Sequence, residues 1–195
     1  MKRKVIALTG TIGSGKSEVA RILRTWGYET VDCDLLARQF ADSSEVVSQV
    51  EQLLGSDCVV DGKLNRATIR GKVFKDEDLL KRYGQIFFDG VRRLLTEAVQ
   101  ATHGNVVFVE IPILDAFQFD FAEVWRIESD RATQVNRVTA RDKVPAENVF
   151  NILDRQKKYD DVTRVIVNNG SLDELTDTVK KTLADCNLST WGRKN

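Results

Sequence analysis

The sequence has little proline, little cysteine and no excess of charge of either sign. Among 195 residues there are 2 prolines and 3 cysteines, and 29 basic residues balance 29 acidic residues. The scarcity of proline argues against a proline-rich disordered chain. A nucleic-acid binder needs a net basic surface, and a membrane-surface protein needs a polybasic patch. Because the net charge is zero, we expect neither a nucleic-acid partner nor a membrane partner.

Long apolar runs are missing as well. No stretch approaches the roughly 20 apolar residues of a membrane span, and the run 5–8 ends at Thr9-Gly10, too soon for a signal peptide. The three cysteines form neither a C-x-x-C pair nor a zinc-ligand spacing, which favours reduced, buried or half-buried thiols at Cys33, Cys58 and Cys186. These absences predict a cytoplasmic protein with one domain.

What the chain does contain is an alternation of buried strands and amphipathic helices. Short apolar runs predict the strands, and apolar residues at helical spacing predict the helices between them. Such alternation indicates an α/β protein with a parallel five-stranded sheet covered on both faces, a three-layer architecture whose ligands bind at the carboxyl ends of the strands. We therefore expect functional residues near positions 10–17, 32–34 and 110–115. The predicted strands are 5–8, 29–32, 105–111, 122–127 and 165–167.

Local signals mark several helix boundaries. Asn65 is the predicted N-cap of a helix over 66–74, and Ser171 is the predicted N-cap of the C-terminal helix. The longest periodic segment, 77–102, contains two glycines that each weaken a helix by about 1 kcal/mol relative to alanine. They are Gly84 and Gly90. The tail from Leu188 is predicted to fray.

The strongest single motif is a phosphate-binding loop, hereafter the phosphate loop. Its glycines let the backbone wrap so that N–H groups point at phosphate oxygens, and the helix that follows adds its positive dipole end. The lysine ammonium bridges β- and γ-phosphates, and the serine hydroxyl binds Mg²⁺. The motif follows a predicted buried strand and therefore predicts a nucleoside triphosphate site with Mg²⁺. It reads Gly10-Thr11-Ile12-Gly13-Ser14-Gly15-Lys16-Ser17 and fits G-x-x-x-x-G-K-[ST].

Two aspartates, Asp32 and Asp34, follow the second predicted strand. Because side chains alternate along a strand, we expect both to share a face beside the phosphate loop. A hydroxyl acceptor needs a carboxylate to take its proton, and the one histidine, His103, falls near the end of a long helix. We predict Asp34 as the general base and Asp32 as a metal ligand through water. The alternative is that Asp34 caps the helix that begins at Leu35.

An arginine pair occurs late in the chain. Arg137 and Arg141 are four residues apart, so they share a helix face. Arginines on a mobile segment neutralise the charge that spreads over a transferred phosphoryl group. The alternative is a solvated helix face whose ion-pair partners are Asp142 and Asp154.

Taken in order, these motifs resemble those of the dephospho-coenzyme A kinase family, P-loop kinases of the nucleoside monophosphate kinase type. The resemblance covers about residues 4–184. The segment Leu8 to Ser17 is similar to the family's L-T-G-G-I-G-S-G-K-S. The other matching elements are Val31-Asp32-Cys33-Asp34 with Ala37-Arg38 (V-D-A-D-x-x-A-R), Gly62-Lys63-Leu64-Asn65-Arg66, Val73-Phe74, Ile111-Pro112-Ile113-Leu114 (V-P-L-L), Arg137 with Arg141-Asp142 (R-x-x-x-R-D), and Val165-Ile166 with Asn168-Asn169-Gly170.

The resemblance implies ATP-dependent phosphorylation of the ribose 3′-hydroxyl of dephospho-coenzyme A by a P-loop NTPase fold. It implies small-molecule partners only, and we expect a monomer or weak oligomer. It divides the chain into a core (about 1–42, 104–130 and 160–187), a helical acceptor-binding insertion (about 43–103) and a small helical lid (about 131–159). The implied ATP-binding residues are those of the phosphate loop with Glu18, Arg137 and Arg141; the catalytic residues are Asp34, Lys16 and Arg141; the acceptor-binding residues are Asp34, Arg38 and Pro112; and the metal ligands are Ser17 and Asp32.

The chain also departs from the family pattern. Thr11 stands where the family has a second glycine, Glu18 where it has threonine, and Phe88-Asp89 where it usually has His-Pro. Two further hypotheses therefore remain. One is a kinase of another nucleotide, such as a (deoxy)nucleoside monophosphate, and the other is a nucleotide-binding protein without transfer activity. Asn168, Asn169 and Gly170 are predicted to line the base pocket.

Overall fold

The computed structural model describes residues 3–41, 43–116 and 118–188. The fraying predicted beyond Leu188 lies outside these residues. None of the helices in the described ranges is long and apolar enough to cross a membrane. The chain divides into two compact units. The first unit consists of the described residues of Met1–Asp32, Ala101–Leu114 and Asp120–Asn195, and the second of those of Cys33–Gln100 and Asp115–Phe119.

The order of elements shows the predicted alternation of strands and helices. A two-stranded hairpin between the third and fourth helices was not predicted, because its strands are only two residues long. In chain order the elements are β1 (Lys4–Thr9), α1 (Lys16–Thr25), β2 (Glu29–Asp32), α2 (Cys33–Ala41), α3 (Ser44–Leu54), β3 (Val59–Val60), β4 (Lys63–Leu64), α4 (Arg66–Val73), α5 (Glu77–Ala101), β5 (Val106–Glu110), β6 (Glu123–Glu128), α6 (Arg131–Asp142), α7 (Ala146–Arg155), β7 (Arg164–Val167) and α8 (Leu172–Asp185).

The main sheet of the described chain has five parallel strands in the order β2-β5-β1-β6-β7. This confirms the predicted α/β class and sheet. The register pairs Leu8 of β1 with Glu110 of β5, and Glu110 in turn with Asp32 of β2. Because the strands are parallel, the last residues of β1, β2 and β5 meet at one edge of the sheet. The phosphate loop begins at that edge.

The core of the first unit lies between one face of the sheet and the helices α1 and α8. Phe108 of β5 and Trp125 of β6 are fully buried there, with ring centroids 5.2 Å apart in an edge arrangement. The predicted cap of α8 is confirmed, since the Ser171 hydroxyl accepts the Glu174 N–H and the Glu174 carboxylate accepts the Ser171 N–H. The strands β5 and β6 carry large apolar residues because these side chains are buried in this core.

The second unit contains the helices α2, α3 and α4, the hairpin β3–β4 and nearly all of α5. Asn65 caps α4 as predicted, accepting the Thr68 N–H, and a turn at Asp61-Gly62 joins β3 to β4. The cysteines bear out the prediction of unpaired thiols. Cys33 and Cys58 are buried and Cys186 is half-buried, and none of these three described cysteines forms a disulfide.

The two glycines of α5 have opposite surroundings. A Cβ built on Gly90 would come within 2.1 Å of the Phe40 ring, whereas the nearest atom to a Cβ on Gly84 is Phe88 Cε2 at 3.7 Å. We expect Gly84→Ala to stabilise the protein by about 0.5–1 kcal/mol through helix propensity. We expect Gly90→Ala to destabilise it by about 1–3 kcal/mol, because the ring of Phe40 must move. Urea unfolding of both variants measures this, and equal gains in stability would contradict it.

Candidate active site

The phosphate loop connects the end of β1 to the start of α1. Gly15 is its last glycine and has a φ of +101°, in the left-handed region that favours glycine. A Cβ at Gly15 would lie 2.1 Å from Asn168 Nδ2, so the loop passes too close to its neighbour for a side chain there. The helix begins one residue later, at Lys16, which directs unpaired backbone N–H groups and the positive dipole end toward the loop.

Asn168, directly after β7, holds the phosphate loop in place through hydrogen bonds. This residue is 5% exposed, and its Nδ2 donates to the Ser14 carbonyl oxygen at 2.8 Å. Ser129, after β6, also donates to that carbonyl, at 3.2 Å. The Arg137 guanidinium donates to the Asn168 carbonyl oxygen at 3.0 Å and to Asn168 Oδ1 at 3.3 Å. The end of the sheet, the loop and α6 are therefore tied together through one buried amide.

Lys16 folds back over the loop that precedes it. Its ammonium donates to the carbonyl oxygens of Gly10 at 2.8 Å and Thr11 at 3.3 Å. This places a cation beside the N–H groups at the start of α1, a combination that suits phosphate oxygens. Glu18 was predicted to contact the nucleotide. Its carboxylate instead accepts a hydrogen bond from Arg21 Nε, on the next turn of α1, at 3.0 Å.

Glu110 is a candidate site residue that sequence reasoning did not single out. It ends β5 and is 6% exposed, although it carries a carboxyl group. Burial raises its pKa and the charge of Asp32 raises it further, against the opposing effects of a hydrogen bond from Ser17 and the charges of Arg24 and Lys16. Its position falls in the predicted functional range 110–115. The sequence feature that could have identified it is an acidic residue at the end of an otherwise apolar strand, at the edge of the sheet where ligands bind.

These side chains fit a magnesium ion that is shared with phosphates. The Ser17 hydroxyl and the carboxylates of Asp32 and Glu110 are hard oxygen donors, which Mg²⁺ prefers. Within the described residues there is no group of three or more His, Cys, Asp or Glu side chains that could hold a metal on its own. In proteins Mg²⁺ usually takes one or two carboxylates and completes its coordination with water and substrate phosphate.

Replacing Glu110 with glutamine is expected to separate stability from activity. A raised pKa means that Glu110 binds a proton more tightly in the folded protein than in the unfolded chain. Protonated Glu110 therefore adds to the free energy of unfolding at acid pH, and this contribution is lost as pH rises through the folded-state pKa. Glu110→Gln should therefore be more stable than the parent at neutral pH, by a margin that shrinks toward acid pH. The Mg²⁺ concentration needed for half-maximal rate should rise about 10- to 100-fold.

The check on Glu110→Gln uses thermal unfolding at several pH values together with Mg²⁺ titrations of the rate. Glu51→Gln, which changes an exposed carboxylate of α3, is the matched control. An unchanged Mg²⁺ requirement in Glu110→Gln would remove this carboxylate from the site.

The structure corrects the interpretation of Asp32 and Asp34 as neighbours on one strand face. Strand β2 ends at Asp32, and α2 begins at Cys33 without an intervening turn. Asp34 is therefore an exposed residue inside the first helical turn, which also means that it is not the N-cap of α2. It belongs to the second unit, together with Arg38 one turn further along the same helix face. Pro112 lies in the first unit, half-buried just after β5.

The arginines of α6 differ in their surroundings. Arg141 is exposed and makes a two-point contact with Asp142, with Nε–Oδ1 and Nη2–Oδ2 distances of 2.7 Å. Arg137 is half-buried and donates the hydrogen bonds to Asn168 described above. Asp154, the other partner considered for the arginine pair, binds Arg131 instead, at 2.7 Å.

A cavity of about 520 Å³ adjoins the phosphate loop within the first unit. It is bordered by Gly10 and Thr11, by the end of β6, and by residues of the segment 153–159, which includes the last turn of α7. This volume is in the range of small-molecule sites. The loop, its lysine, the carboxylates and the cavity together suit a reaction of a phosphorylated small molecule.

Comparison with known proteins agrees with this geometry. The family model for dephospho-CoA kinase matches residues 4–174. A relative from Thermus thermophilus named dephospho-CoA kinase is 33% identical over 193 residues, which is 93% of this chain and 91% of the relative. One from Staphylococcus epidermidis with the same name is 29% identical over 192 residues, 93% of this chain and 95% of the relative.

Solved structures show the same fold. A crystal structure from Thermus thermophilus, 33% identical, superposes with a TM-score of 0.80 over 95% of this chain and 98% of that one. A shikimate kinase from Bacteroides thetaiotaomicron, 14% identical, has a TM-score of 0.56 over 95% of this chain and 99% of that one, which supports the kinase fold alone. The chain belongs to the dephospho-CoA kinase family of transferases, which implies ATP as a substrate.

Proposed function

We propose that this protein transfers the terminal phosphoryl group of ATP to the ribose 3′-hydroxyl of dephospho-CoA, the last step of coenzyme A biosynthesis. The hydroxyl oxygen forms a bond to the γ-phosphorus, the bond from that phosphorus to ADP breaks, and the hydroxyl proton passes to a carboxylate. The observation that supports the proposal is the phosphate loop, over which Lys16 folds back and beside which Ser17 is hydrogen-bonded to the buried Glu110. Family membership supplies the acceptor.

Binding of ATP uses the donors of the phosphate loop. The backbone N–H groups at the start of α1 receive phosphate oxygens, and the Lys16 ammonium exchanges its two carbonyl acceptors for phosphate. Ser17, Asp32 and Glu110 would hold Mg²⁺, which when bound neutralises charge on the phosphate oxygens. Arg141 leaves Asp142 to meet the charge of the transferring group, while Arg137 orients the loop through Asn168.

The acceptor is proposed to use residues of α2 and the loop after β5. Asp34 accepts the proton of the attacking hydroxyl, and Arg38 and Pro112 contact the acceptor. In this proposal the helical insertion of about 43–103 binds the acceptor, and the lid of about 131–159 closes over the nucleotide and excludes water. Exclusion of water limits wasteful hydrolysis of ATP.

The test is an acceptor panel with purified protein, ATP and Mg²⁺. We expect ADP release with dephospho-CoA well above a blank without acceptor, and a product that a 3′-phosphate-dependent CoA enzyme accepts. A higher kcat/KM with a (deoxy)nucleoside monophosphate would favour the second hypothesis. That hypothesis is motivated by Phe88-Asp89 at the usual His-Pro position, although family membership does not favour it. ATP binding without any productive acceptor would favour a non-catalytic role.

We also propose that the enzyme works in the cytoplasm as a monomer or weak oligomer, with neither nucleic acid nor membrane as partner. Support comes from the balance of 29 basic and 29 acidic residues, which provides no general basic surface. Light scattering across a concentration series measures the oligomeric state, and a stable large assembly at the lowest concentration would contradict the proposal.

A further inference from the structure

The apex of the phosphate loop is packed into the helical pair α6–α7. The side chain of Ile12 contacts a small apolar cluster, separate from the main core, whose fully or nearly fully buried members are Val135, Val138 and Val149. Val144 and Leu153 complete it. The residue that precedes the loop's second glycine is therefore an apolar anchor, and the loop and these two helices form one packed structure.

Two glutamine amides add polar contacts to this anchor. Gln134, in the first turn of α6 and 6% exposed, donates from Nε2 to Thr11 Oγ1 at 2.6 Å. Gln156, immediately after α7, accepts the Ile12 N–H on Oε1 at 2.7 Å. Gln134 thus contacts the side chain of Thr11, and Gln156 contacts the backbone of the next residue, Ile12. Thr11 stands where the family pattern has glycine, and a glycine offers no hydroxyl to Gln134.

Of the two residues held in this way, Thr11 also accepts a hydrogen bond from Lys16, and Ile12 is the next residue along the loop. The carbonyl oxygens of Gly10 and Thr11 accept the Lys16 ammonium, so the position of Thr11 influences the position of the charge. A lysine already held near its working position loses less freedom when phosphate binds. We propose that Gln134 and Gln156 are positioning residues, which act through Thr11 and Ile12 to set the phosphate loop and Lys16 for ATP. The proposal rests on the use of this loop for ATP but on no particular acceptor.

The experiment is a double-mutant cycle between Thr11 and Gln134, with ATP affinity measured by calorimetry in the absence of acceptor. Thr11→Val keeps the shape and removes the hydroxyl, and Gln134→Leu removes the amide. We expect each to weaken ATP binding about 10-fold, and the double variant to lose about the same 10-fold rather than about 100-fold, because both remove one shared contact. Thr11→Ser retains the hydroxyl and should bind ATP within about twofold of the parent.

Gln156 is tested in parallel. Gln156→Leu should also weaken ATP binding about 10-fold, with the loss appearing in KM for ATP more than in kcat, because the loop must then be ordered by the nucleotide. Asn136→Leu on α6 and Asn151→Leu on α7 are matched controls, since both replace exposed amides of the same helices. These controls should leave ATP affinity unchanged.

Two results would overturn the proposal. One is additive losses of ATP affinity in the Thr11–Gln134 cycle, which would mean that the two side chains act independently. The other is a lower melting temperature with unchanged ATP affinity, which would make the glutamines structural only. Because no acceptor is present in the binding experiment, an error in the acceptor assignment would leave both results intact.

Discussion

Replacing Lys16 with alanine is expected to lower kcat by about three to five orders of magnitude, the largest loss of any single substitution in this protein. Phosphoryl transfer asks little covalent chemistry of the enzyme, so its rate depends on positioning and charge stabilisation. Lys16 is the cation that the loop holds beside the phosphate-binding N–H groups, through its contacts with Gly10 and Thr11. Alanine keeps the helix start and removes the charge.

Single-turnover rates measure the effect of Lys16→Ala free from product release. Lys181→Ala, which removes an exposed lysine from α8 of the same unit, is the matched control and should leave the rate unchanged. The melting temperature of Lys16→Ala should stay close to that of the parent, since Lys16 is only half-buried. A loss of less than tenfold would refute the assigned role.

Replacing Asp34 with asparagine is expected to lower kcat by about two to four orders of magnitude, the usual contribution of a positioned general base. Asparagine keeps the size and the hydrogen-bonding carbonyl of aspartate but cannot accept the proton of the attacking hydroxyl. The ATP dissociation constant should be unchanged, because ATP is assigned to the phosphate loop. The loss should therefore appear in kcat and not in nucleotide affinity.

The control for Asp34→Asn is Asp78→Asn. Asp78 is also an exposed aspartate in the first turn of a helix, so this variant loses the same favourable interaction with a helix dipole. Stopped-flow rates and calorimetry on both variants give the comparison. Full activity in Asp34→Asn would show that Asp34 is not the base, and an equal loss in Asp78→Asn would mean that a helix effect had been measured.

Much of the secondary structure of both units was predictable from local pattern. Wholly apolar runs such as Val106 to Val109 identified the buried parallel strands, and the glycine spacing of residues 10–17 identified the loop between β1 and α1. Caps at Asn65 and Ser171 were predicted because their chemistry is local, between a side-chain oxygen and an N–H group three residues away.

The errors have a common physical origin. The strand alternation applied to Asp32 and Asp34 failed because two residues of sequence cannot show where a strand changes into a helix. Glu110 was passed over because a carboxyl group at a strand end is ordinary until its burial and its bond to Ser17 are known. Periodicity marked Gly90 as a weak point of a helix, whereas packing against Phe40 makes it a requirement.

The sequence by itself determined the fold class, the phosphate loop and the family, because each depends on residues that are neighbours along the chain or on motifs in a set order. Only the tertiary structure decided which side chains surround that loop. Gln134 and Gln156 meet Thr11 and Ile12 across more than a hundred residues of chain, and Glu110 meets Ser17 across more than ninety. The contact of Glu110 arises because parallel strands bring their carboxyl ends to one edge, and the contacts of the two glutamines arise because Ile12 packs on the apolar cluster of α6 and α7. Neither hydrogen bonding between strands nor packing of helices is contained in a local pattern.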